Sequence, residues 1–373
     1  MLKDYMDKKG LEYAPFDKAR VHKIYALLKP NLKLPNHTVH IMGTNGKGST
    51  GRFITQSLQE AGFSTLHFTS PHIFRYEERF FINNKIVDSE TLEKAHNFLQ
   101  SFSFINEASY FEYSFFLCLV LAQGLNYLIA EAGVGGEYDA TSCINYDASI
   151  YTPIDFDHKD YLGTTLESIA TTKLKAMDGL TFIGLQQETT KKIALKIAKE
   201  KNLKLVFQDD TPSKEVKAYA KKYHLYPFLE SNLSLASLFL DSIKVPLLSK
   251  PLDLRGRLEK LQDNLYIDVG HNLHAARNLS SIFKNITLIY NTYKDKDYEE
   301  ILHTLKPILK KVLIFKVDNP RILAPEALKS TLESLEIKSS FMQDLTLDPK
   351  ETYVVFGSFS LVEAFLKRYE GVL

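Results

Sequence analysis

The chain has 373 residues and carries 46 lysines and arginines against 45 aspartates and glutamates, which gives a formal net charge of +1. Hydrophobic residues make up 45% and charged residues 24%, a composition that is typical of globular proteins and argues against disorder, collagen-like repeats and coiled coil. The near-neutral balance argues against a general binder of nucleic acid or anionic membranes, although it allows a local basic pocket for a phosphate. This length predicts two domains, each with its own core.

Strand-like and helix-like segments alternate along the first half of the chain. This alternation predicts an α/β architecture with a mostly parallel sheet. The first apolar run ends in a glycine-rich turn, and Gly62 ends the helix behind that turn. The expected strands are 38–42, 64–68, 127–130 and 148–151, and the expected helices are 49–61 and 168–177.

The second half of the chain restarts the same alternation after residues 245–251, which carry two prolines and no clear period. We place the domain linker there. The sequence thus predicts an N-terminal domain of residues 1–248 and a smaller, Rossmann-like α/β domain of residues 249–373. The expected strands of the second domain are 265–267, 286–290, 312–315 and 353–356, and its expected helices are 275–283, 297–305 and 361–369.

Cysteine content and hydropathy bear on the compartment. The two cysteines, Cys118 and Cys143, are too few for a disulfide framework or a zinc cage. Residues 1–8 contain no apolar segment of the kind that directs secretion, and no stretch approaches about 18 uncharged apolar residues. We therefore expect a soluble cytoplasmic protein without a membrane or nucleic-acid partner.

The strongest local signal is the loop GTNGKGST at 43–50, between a predicted strand and a predicted helix. Its glycines let successive backbone N–H groups face an anion, and the helix N-terminus favours negative charge. Lys47 adds a cation for the outer phosphates, and Ser49 or Thr50 adds a hydroxyl for phosphate or Mg²⁺. The common P-loop has glycine where this chain has Ile41, so this loop is a variant. The residues leave open a kinase, a GTPase, a ligase or an ordinary glycine turn with a solvated lysine.

The loop GTNGKGS at 43–49, followed by TSPH at 69–72, resembles motifs of folylpolyglutamate synthase/dihydrofolate synthase, a branch of the Mur ligase superfamily. Further collinear matches extend the resemblance over most of the chain. They lie at 109–112, 131–141, 157–158, 162–163, 255–257, 268–272, 295–297 and 357–358. The resemblance implies a P-loop-containing first domain and ATP-dependent amide ligation. L-glutamate would be joined to 7,8-dihydropteroate or to tetrahydrofolate through an acyl phosphate, by a monomer that acts on small molecules.

On the nucleotide side, the resemblance implies ATP contacts from the loop and from three later residues. Asn232 would contact adenine, while Arg257 and Asp268 would reach the nucleotide from the second domain. An alternative for Asn232 is an N-cap of a helix at 232–240. The implied loop contacts are Thr44, Asn45, Gly46, Lys47, Gly48 and Ser49.

The resemblance also implies Ser70, Glu131 and His158 as Mg²⁺ ligands. Each follows a predicted strand, at the edge where ligands bind in such sheets. A histidine is an unusual ligand for Mg²⁺, so a loop histidine with only structural contacts is the alternative for His158. Glu131 ends an apolar strand, where a carboxylate is costly to bury without a cation.

Two further residues are implied in catalysis beside Lys47. Lys173 matches a lysine that the family is thought to carboxylate with CO₂, although Thr172 replaces the usual preceding glutamate; the alternative is a solvated helix lysine. His271 and Ser358 are implied in holding the incoming glutamate. The alternative for His271 is a surface histidine that caps the helix at 275.

The pteroate side of the resemblance rests on two motifs, with a loose further match at 13–16. Aromatic residues also fill cores, so their presence alone decides nothing. Glu137 stands where the family usually has arginine, which leaves the substrate preference open. The implied pteroate contacts are Ser109, Tyr110, Phe111, Tyr138, Asp139 and Ala140.

Two other functions remain alternatives. A Mur-type ligase acting on a cell-wall precursor would call for an additional N-terminal substrate domain, and 42 residues precede Gly43. A nucleotide-binding module without ligase activity would bind nucleotide regardless of glutamate and would tolerate the loss of Arg257 or His271.

Overall fold

The protein's structure is a computed structural model that describes residues 1–10 and 17–371. The chain divides into two units, Met1–Asp253 and Leu254–Leu373, and each unit contains its own β-sheet. Among the described residues, no helix is long and apolar enough to cross a membrane. Residues 13–16, the loose match to the pteroate pocket, lie outside the described part of the chain.

A mostly parallel sheet forms the centre of the first unit. Its strands are β1 (His37–Met42), β2 (Thr65–Phe68), β3 (Phe80–Ile82), β4 (Lys85–Ile86), β5 (Tyr127–Glu131), β6 (Ala148–Tyr151), β7 (Leu180–Ile183) and β8 (Leu205–Phe207). Within the described residues the order is β4-β3-β2-β5-β1-β6-β7-β8, and only the pairs β2–β3 and β3–β4 are antiparallel. Every residue of β5 is buried, as expected for a central strand covered on both faces.

Helices cover both faces of this sheet. They are α1 (Leu2–Lys9), α2 (Arg20–Leu28), α3 (Lys47–Glu60), α4 (Ser89–Gln100), α5 (Tyr110–Leu121), α6 (Lys159–Leu162), α7 (Leu166–Leu174), α8 (Glu188–Lys201), α9 (Lys214–Lys222) and α10 (Pro227–Ser242). Leu128 and Ala130 of β5 pack with α4 and α5, whereas Tyr127 and Ile129 pack with α3 and α10. This alternation follows from the two-residue period of a strand.

The strand order sets the place of the functional loops. Strands β2, β5, β1 and β6 are adjacent and mutually parallel, so their carboxyl ends lie at one edge of the sheet. The loops that leave these ends begin at Gly43, Thr69, Ala132 and Thr152. This edge is where ligands bind in open α/β sheets.

The second unit contains a second mostly parallel sheet. Its strands are β9 (Glu259–Gln262), β10 (Leu265–Asp268), β11 (Ile286–Tyr290), β12 (Leu309–Ile314), β13 (Ser339–Phe341) and β14 (Tyr353–Phe356), and its helices are α11 (Leu273–Ile282), α12 (Tyr298–Leu305), α13 (Pro325–Ser334) and α14 (Phe359–Glu370). Within the described residues the sheet runs β13-β12-β11-β14-β10-β9, and only β9 is antiparallel to its neighbour. Asp268 and Gly357 lie at or just after the carboxyl ends of the adjacent strands β10 and β14.

The predicted α/β class and the predicted strands are confirmed, with shifts of a few residues at their ends. The helix behind the glycine loop begins at Lys47 rather than at residue 49, because Gly46 takes the left-handed conformation at its N-cap. The N-cap alternative for Asn232 is wrong, since α10 begins at Pro227 and Asn232 lies inside it. The strands β3, β4, β7, β8, β9 and β13 were not predicted, because such short runs of residues show no clear period.

Candidate active site

The glycine-rich loop fits closely between two other segments of the first unit. Gly43 has a φ of 132°, and a Cβ there would lie 2.0 Å from Thr152 Oγ1. Gly46 has a φ of 92°, and a Cβ there would lie 2.4 Å from Asn232 Oδ1. Both positions therefore require glycine. The fit also brings Asn232, implied in adenine binding, against the implied phosphate-binding residues around Lys47.

The segment after β6 holds the loop in place through Thr44. The Thr44 N–H donates to Pro153 O at 2.9 Å, and the Thr44 hydroxyl donates to Asp155 O at 2.9 Å. The Asp155 N–H donates back to Thr44 Oγ1 at 3.0 Å. The Thr44 side chain thus fixes the loop to the backbone of Asp155. Asn45 lies in the loop, and Gly48 lies in the first turn of α3.

Two lysines share one carbonyl of the loop. Lys47 Nζ donates to Gly43 O at 3.3 Å and to Thr44 O at 3.1 Å. Lys173 Nζ, from α7, donates to the same Gly43 O at 3.0 Å. Burial, with a smaller contribution from the Lys47 charge, lowers the pKa of Lys173 to about 7. An amine of this kind is partly unprotonated near neutral pH.

Lys173 and Lys175 have different environments although they are two residues apart. Lys173 is 4% exposed, so the alternative of a solvated helix lysine is wrong for it. Lys175 is exposed and pairs with Glu137, at 3.1 Å between Nζ and Oε2. Glu137, which stands where the family usually has arginine, is therefore paired with Lys175. Gly136 lies directly against the backbone of Lys173, where a Cβ would be 2.5 Å from Lys173 Cα.

Ser49 provides a buried hydroxyl at the start of α3. The residue is 1% exposed, and its Oγ has no hydrogen-bond partner among the described residues. The same holds for Thr50 Oγ1. Because the first N–H groups of a helix also lack intrahelical acceptors, this end of α3 offers several donors to an anion.

Glu131 and Ser70 lie together at the sheet edge. The Thr69 hydroxyl donates to Glu131 Oε2 through a short hydrogen bond, and the Ser70 N–H donates to the same oxygen at 3.4 Å. Glu131 is 4% exposed. Thr69 was not predicted as a site residue, although it is part of the TSPH motif. Its contact joins the start of the loop after β2 to this carboxylate.

His158 lies in the loop after β6, with a φ of 51°. Its N–H donates to Asp157 Oδ1 at 2.8 Å, and its Nε2 lies 4.0 Å from Asp157 Oδ2. Among residues 1–10 and 17–371, no three His, Cys, Asp or Glu side chains are grouped to hold a metal ion. Only two of the three implied metal ligands, Glu131 and His158, are of these residue types. The third implied ligand is the hydroxyl of Ser70.

The loop between β5 and β6 is organised by Asp139. One carboxylate oxygen accepts from the Val134 N–H at 2.9 Å, and the other accepts from the N–H and hydroxyl of Thr141. Burial raises the pKa of Asp139. Thr141 Oγ1 contacts His40 Nε2 at 2.7 Å, and the His40 ring stacks on Tyr146. Burial lowers the pKa of His40 to about 3, so this histidine is neutral.

The motif at 109–112 begins α5. Ser109 and Glu112 form a capping box, with the Ser109 N–H donating to Glu112 Oε2 at 2.7 Å. Arg20 Nε donates to the same carboxylate oxygen at 2.7 Å. Phe111 lies against the loop after β5, since a Cβ at Gly133 would be 2.7 Å from its ring. Ser109 therefore has a capping role, and Phe111 lines the carboxyl edge of the sheet.

The remaining implied pteroate residues are aromatic or small. The Arg79 guanidinium lies 5.5 Å from the ring centroid of Tyr110, and Lys18 Nζ lies 4.4 Å from that of Tyr138. Ala140 is buried at the start of a short 3₁₀ turn. Both aromatic rings thus face a cation, which is a favourable electrostatic arrangement.

In the second unit, Asp268 connects the residue before β9 to the turn that follows β10. Its Oδ2 accepts from the Leu258 N–H at 2.8 Å, and its Oδ1 accepts from the Gly270 N–H at 2.6 Å. Burial raises the pKa of Asp268 to about 6. Arg257 lies beside this turn, donating from one guanidinium nitrogen to Gly256 O at 3.2 Å, and its guanidinium faces the Phe359 ring.

The two implied glutamate-binding residues lie at neighbouring helix starts of the second unit. Ser358 is the N-cap of α14 and accepts from the Leu361 N–H at 3.0 Å. His271 Nδ1 lies 3.0 Å from Val269 O. The capping alternative for His271 is wrong, because Asn272 caps α11.

Comparisons with known proteins agree with this geometry. The family described as Mur ligase middle domain matches residues 41–248. A dihydrofolate synthase/folylpolyglutamate synthase of Buchnera aphidicola subsp. Acyrthosiphon pisum is 30% identical, over 98% of either chain. The crystal structure of Helicobacter pylori folylpolyglutamate synthetase has a TM-score of 0.81 and 43% identity, covering 99% of this chain and 98% of that one. The Yersinia pestis bifunctional synthase complexed with AMPPNP and Mn ion shares the fold, with a TM-score of 0.84, 22% identity, and coverage of 99% and 97%.

Lys173→Met should change the pH dependence of stability. The folded pKa of Lys173, about 7, lies below the unfolded value of 10.5, so the unfolded chain binds the extra proton between these values and wild-type stability rises with pH across this window. Lys173→Met should therefore exceed wild type in free energy of unfolding by the most near pH 7 and by less near pH 9. The difference should shrink by about 1.4 kcal/mol for each pH unit in this window. Urea unfolding in bicarbonate-free buffer measures this difference.

Lys175→Met is the matched control, because Lys175 is exposed and its pKa is raised by Glu137 rather than lowered. The difference in free energy of unfolding between Lys175→Met and wild type should not decrease from pH 7 to pH 9. A stability difference between Lys173→Met and wild type that is equal at the two pH values would contradict the lowered pKa of Lys173.

Proposed function

Because the chain belongs to the dihydrofolate synthase/folylpolyglutamate synthase family of Mur ligases, we propose that it joins L-glutamate to 7,8-dihydropteroate and to tetrahydrofolate. Each reaction forms one amide bond and converts ATP to ADP and phosphate. The observation that carries the proposal is the convergence of the glycine-rich loop, Lys47 and Glu131 at the carboxyl edge of one parallel sheet. Its amides, cation and carboxylate are the groups that a magnesium-bound triphosphate requires.

The reaction has two steps. A carboxylate oxygen of the pteroate or folate attacks the γ-phosphorus of ATP, so that ADP leaves and an acyl phosphate forms. The amino nitrogen of L-glutamate then attacks the acyl carbon, phosphate leaves, and the nitrogen loses a proton as the amide forms. Negative charge develops on phosphoryl and acyl oxygens, so fixed cations and N–H donors at those positions lower the barriers.

We assign the triphosphate to the loop of residues 44–49. Lys47 Nζ now donates to two uncharged carbonyls, and phosphate oxygens are stronger acceptors because they are charged. Binding ATP would draw the ammonium group from these carbonyls to the outer phosphates. We assign the contact with the base to Asn232, which abuts Gly46.

Mg²⁺ bound with the triphosphate would neutralise charge on the transferred phosphoryl group. The donor set fits this ion, because Ser49 Oγ is a buried oxygen without a hydrogen-bond partner in the described chain and Glu131 is a buried carboxylate. Ser70, Glu131 and His158 would hold the ion together with the Ser49 hydroxyl.

We propose that Lys173 is carboxylated. Its unprotonated amine can attack CO₂, forming an N–C bond and releasing a proton, and a pKa of about 7 makes that form available near neutral pH. The product is an anion beside Lys47 in place of a second cation. This exchange removes a repulsion and adds an oxygen donor for a metal ion.

The substrates are divided between the proposed domains. The pteroate group is assigned to Ser109, Tyr110, Phe111, Tyr138, Asp139 and Ala140 in the domain of residues 1–248. Glutamate is assigned to His271 and Ser358 in the domain of residues 249–373, with Arg257 and Asp268 assigned to the nucleotide. Phe111 and Tyr138 supply aromatic surface for a pterin ring. Both oxygens of Asp139 are used inside its loop, so Asp139 acts by shaping that loop.

We further propose a cytoplasmic monomer that acts only on small molecules. Both cysteines are buried free thiols, which fits a reducing compartment. Each substrate is assigned to residues of a single chain, so no second copy is needed to complete the assignment.

The proposal is tested by ADP release from the purified protein in the presence of ATP, Mg²⁺ and L-glutamate. We expect ADP formation that depends on 7,8-dihydropteroate and, in a separate reaction, on tetrahydrofolate. A panel that includes cell-wall precursors distinguishes the Mur-type alternative. Dependence on a cell-wall precursor alone, or nucleotide binding with no turnover on any acceptor, would overturn the proposal.

Lys47→Ala should lower kcat by about 10²–10³-fold, the usual cost of removing a group that stabilises developing charge. Dihydropteroate binding, measured by calorimetry, should change little, because the pteroate residues lie outside the loop. Lys192→Ala, at an exposed position of α8, is the control and should match wild type. Retention of activity in Lys47→Ala would remove the loop from the mechanism.

A further inference from the structure

The crossover segment that joins β5 to β6 carries the implied pteroate residues Tyr138, Asp139 and Ala140. Both strands pair with β1 in parallel, so the crossover must return from the carboxyl edge of the sheet to its amino edge. Crossovers of this kind usually contain an α-helix, whose own hydrogen bonds fix its backbone. Residues 132–147 contain only a short 3₁₀ turn, Ala140–Cys143. The conformation of this crossover therefore depends on contacts made by individual side chains.

Packing supports one side of the crossover only in part. A cavity of about 440 Å³ is lined by Glu137, Ser142 and Tyr146 of the crossover and by residues 175–178, which follow α7. His40 of β1 lines the same cavity. Because a cavity offers no atoms to pack against, hydrogen bonds have a larger share in holding the crossover there.

His40 connects the crossover to the sheet at Thr141. Its side chain is fully buried, and its Nε2 lies 2.7 Å from Thr141 Oγ1. Its ring stacks on Tyr146, with 4.2 Å between the centroids and 9° between the planes, and the Tyr146 hydroxyl donates to Thr141 O at 2.7 Å. Thr141 donates to Asp139 from both its N–H and its hydroxyl. A side chain of β1 thus reaches Asp139 through one intervening residue.

These contacts determine which atom of His40 carries the hydrogen. The Thr141 hydroxyl gives its hydrogen to Asp139, so Thr141 Oγ1 is the acceptor toward the imidazole. Burial lowers the pKa of His40 to about 3, so the ring is neutral and its single hydrogen lies on Nε2. Nδ1 then carries no hydrogen, and it has no hydrogen-bond partner in the described part of the chain. The donors therefore run in one direction, from His40 through Thr141 to the Asp139 carboxylate.

We propose that His40 is a positioning residue for the pteroate or folate substrate. It acts through Thr141 and Asp139, by holding the pteroate residues of the crossover in the geometry that binds this substrate. The phosphate loop follows the end of the same strand, but the hydrogen bond of His40 is directed to the crossover. Loss of this bond should therefore weaken binding of the pteroate and leave the ATP site intact. The inference rests on the proposed ligase function.

The test measures the KM for 7,8-dihydropteroate and the KM for ATP separately. His40→Phe keeps a ring against Tyr146 without the donor, whereas His40→Gln places an amide N–H near the position of Nε2. We expect His40→Phe to raise the KM for dihydropteroate about tenfold, the cost of one buried hydrogen bond, with little change in kcat or in the KM for ATP. His40→Gln should restore the KM for dihydropteroate to within about threefold of wild type.

His37→Phe is the matched control. His37 is an exposed histidine of the same strand, and its ring also stacks on a tyrosine, Tyr127. This variant should match wild type in both KM values, because His37 makes no contact with the crossover among the described hydrogen bonds and ring contacts.

Thr141→Val removes the acceptor of the same hydrogen bond and keeps the shape of the side chain. It should raise the KM for dihydropteroate at least as much as His40→Phe, because it also takes a donor from Asp139. The double variant His40→Phe/Thr141→Val should be no worse than Thr141→Val alone, since both changes break one connection. If the two increases multiply instead, the residues act independently and the proposed role of His40 is wrong.

The remaining outcomes separate this role from the proposed function and from a structural role. If wild type shows no dihydropteroate-dependent ADP release, the proposed function fails, and the role of His40 fails with it. If wild type is active and His40→Phe keeps its KM for dihydropteroate, only the role of His40 is wrong. An equal rise of both KM values would also contradict it, because a general distortion of β1 displaces the phosphate loop.

Thermal unfolding shows whether each variant folds. A folded His40→Gln that binds dihydropteroate as weakly as His40→Phe would contradict the proposed role. Should His40→Phe fail to fold, the other two variants decide: His40→Gln must keep the KM for dihydropteroate within about threefold of wild type, and Thr141→Val must raise it without raising the KM for ATP.

Discussion

The parallel pairing of β2, β5, β1 and β6 is the constraint on which the first unit depends. Because these strands run in the same direction, the chain must leave all four at the same edge, and polar residues that follow them in sequence gather there. Gly43, Ser70, Glu131 and His158 are far apart along the chain but share this edge. An antiparallel exchange of any one strand would send its loop to the opposite edge. The strand topology therefore determines which residues can meet at the proposed site, and the individual side chains determine the chemistry there.

Charge is distributed unevenly at this edge. The Gly43 carbonyl accepts hydrogen bonds from Lys47 and Lys173. Burial and the nearby Lys47 charge lower the pKa of Lys173, the buried one of the two. Glu131 is buried against the Thr69 hydroxyl. A triphosphate with Mg²⁺ would match both features, since it offers anionic oxygens to Lys47 and a cation to Glu131. The protein alone thus holds charges that its proposed ligand would balance.

Much of the site follows from sequence, because a glycine loop, a strand-ending glutamate and collinear motifs are local patterns. The alternation of apolar runs also predicts the α/β class. Contacts between distant segments could not be predicted in this way: the bond from His40 to Thr141 depends on how the crossover folds over β1. Ser109 and Ser358 show another limit, since each starts a helix as its N-cap. The pattern of serine with glutamate three residues later would have indicated this for Ser109.

The central claim is that the triphosphate held at this edge transfers its γ-phosphoryl group to the substrate carboxyl before glutamate reacts. Positional isotope exchange tests it most directly. ATP labelled with oxygen-18 at the β,γ-bridge should exchange label into the non-bridging positions of the β-phosphate when dihydropteroate is present without glutamate. No exchange should occur without dihydropteroate. If label moves only when glutamate is also present, the carboxyl group is not activated first and the account is wrong.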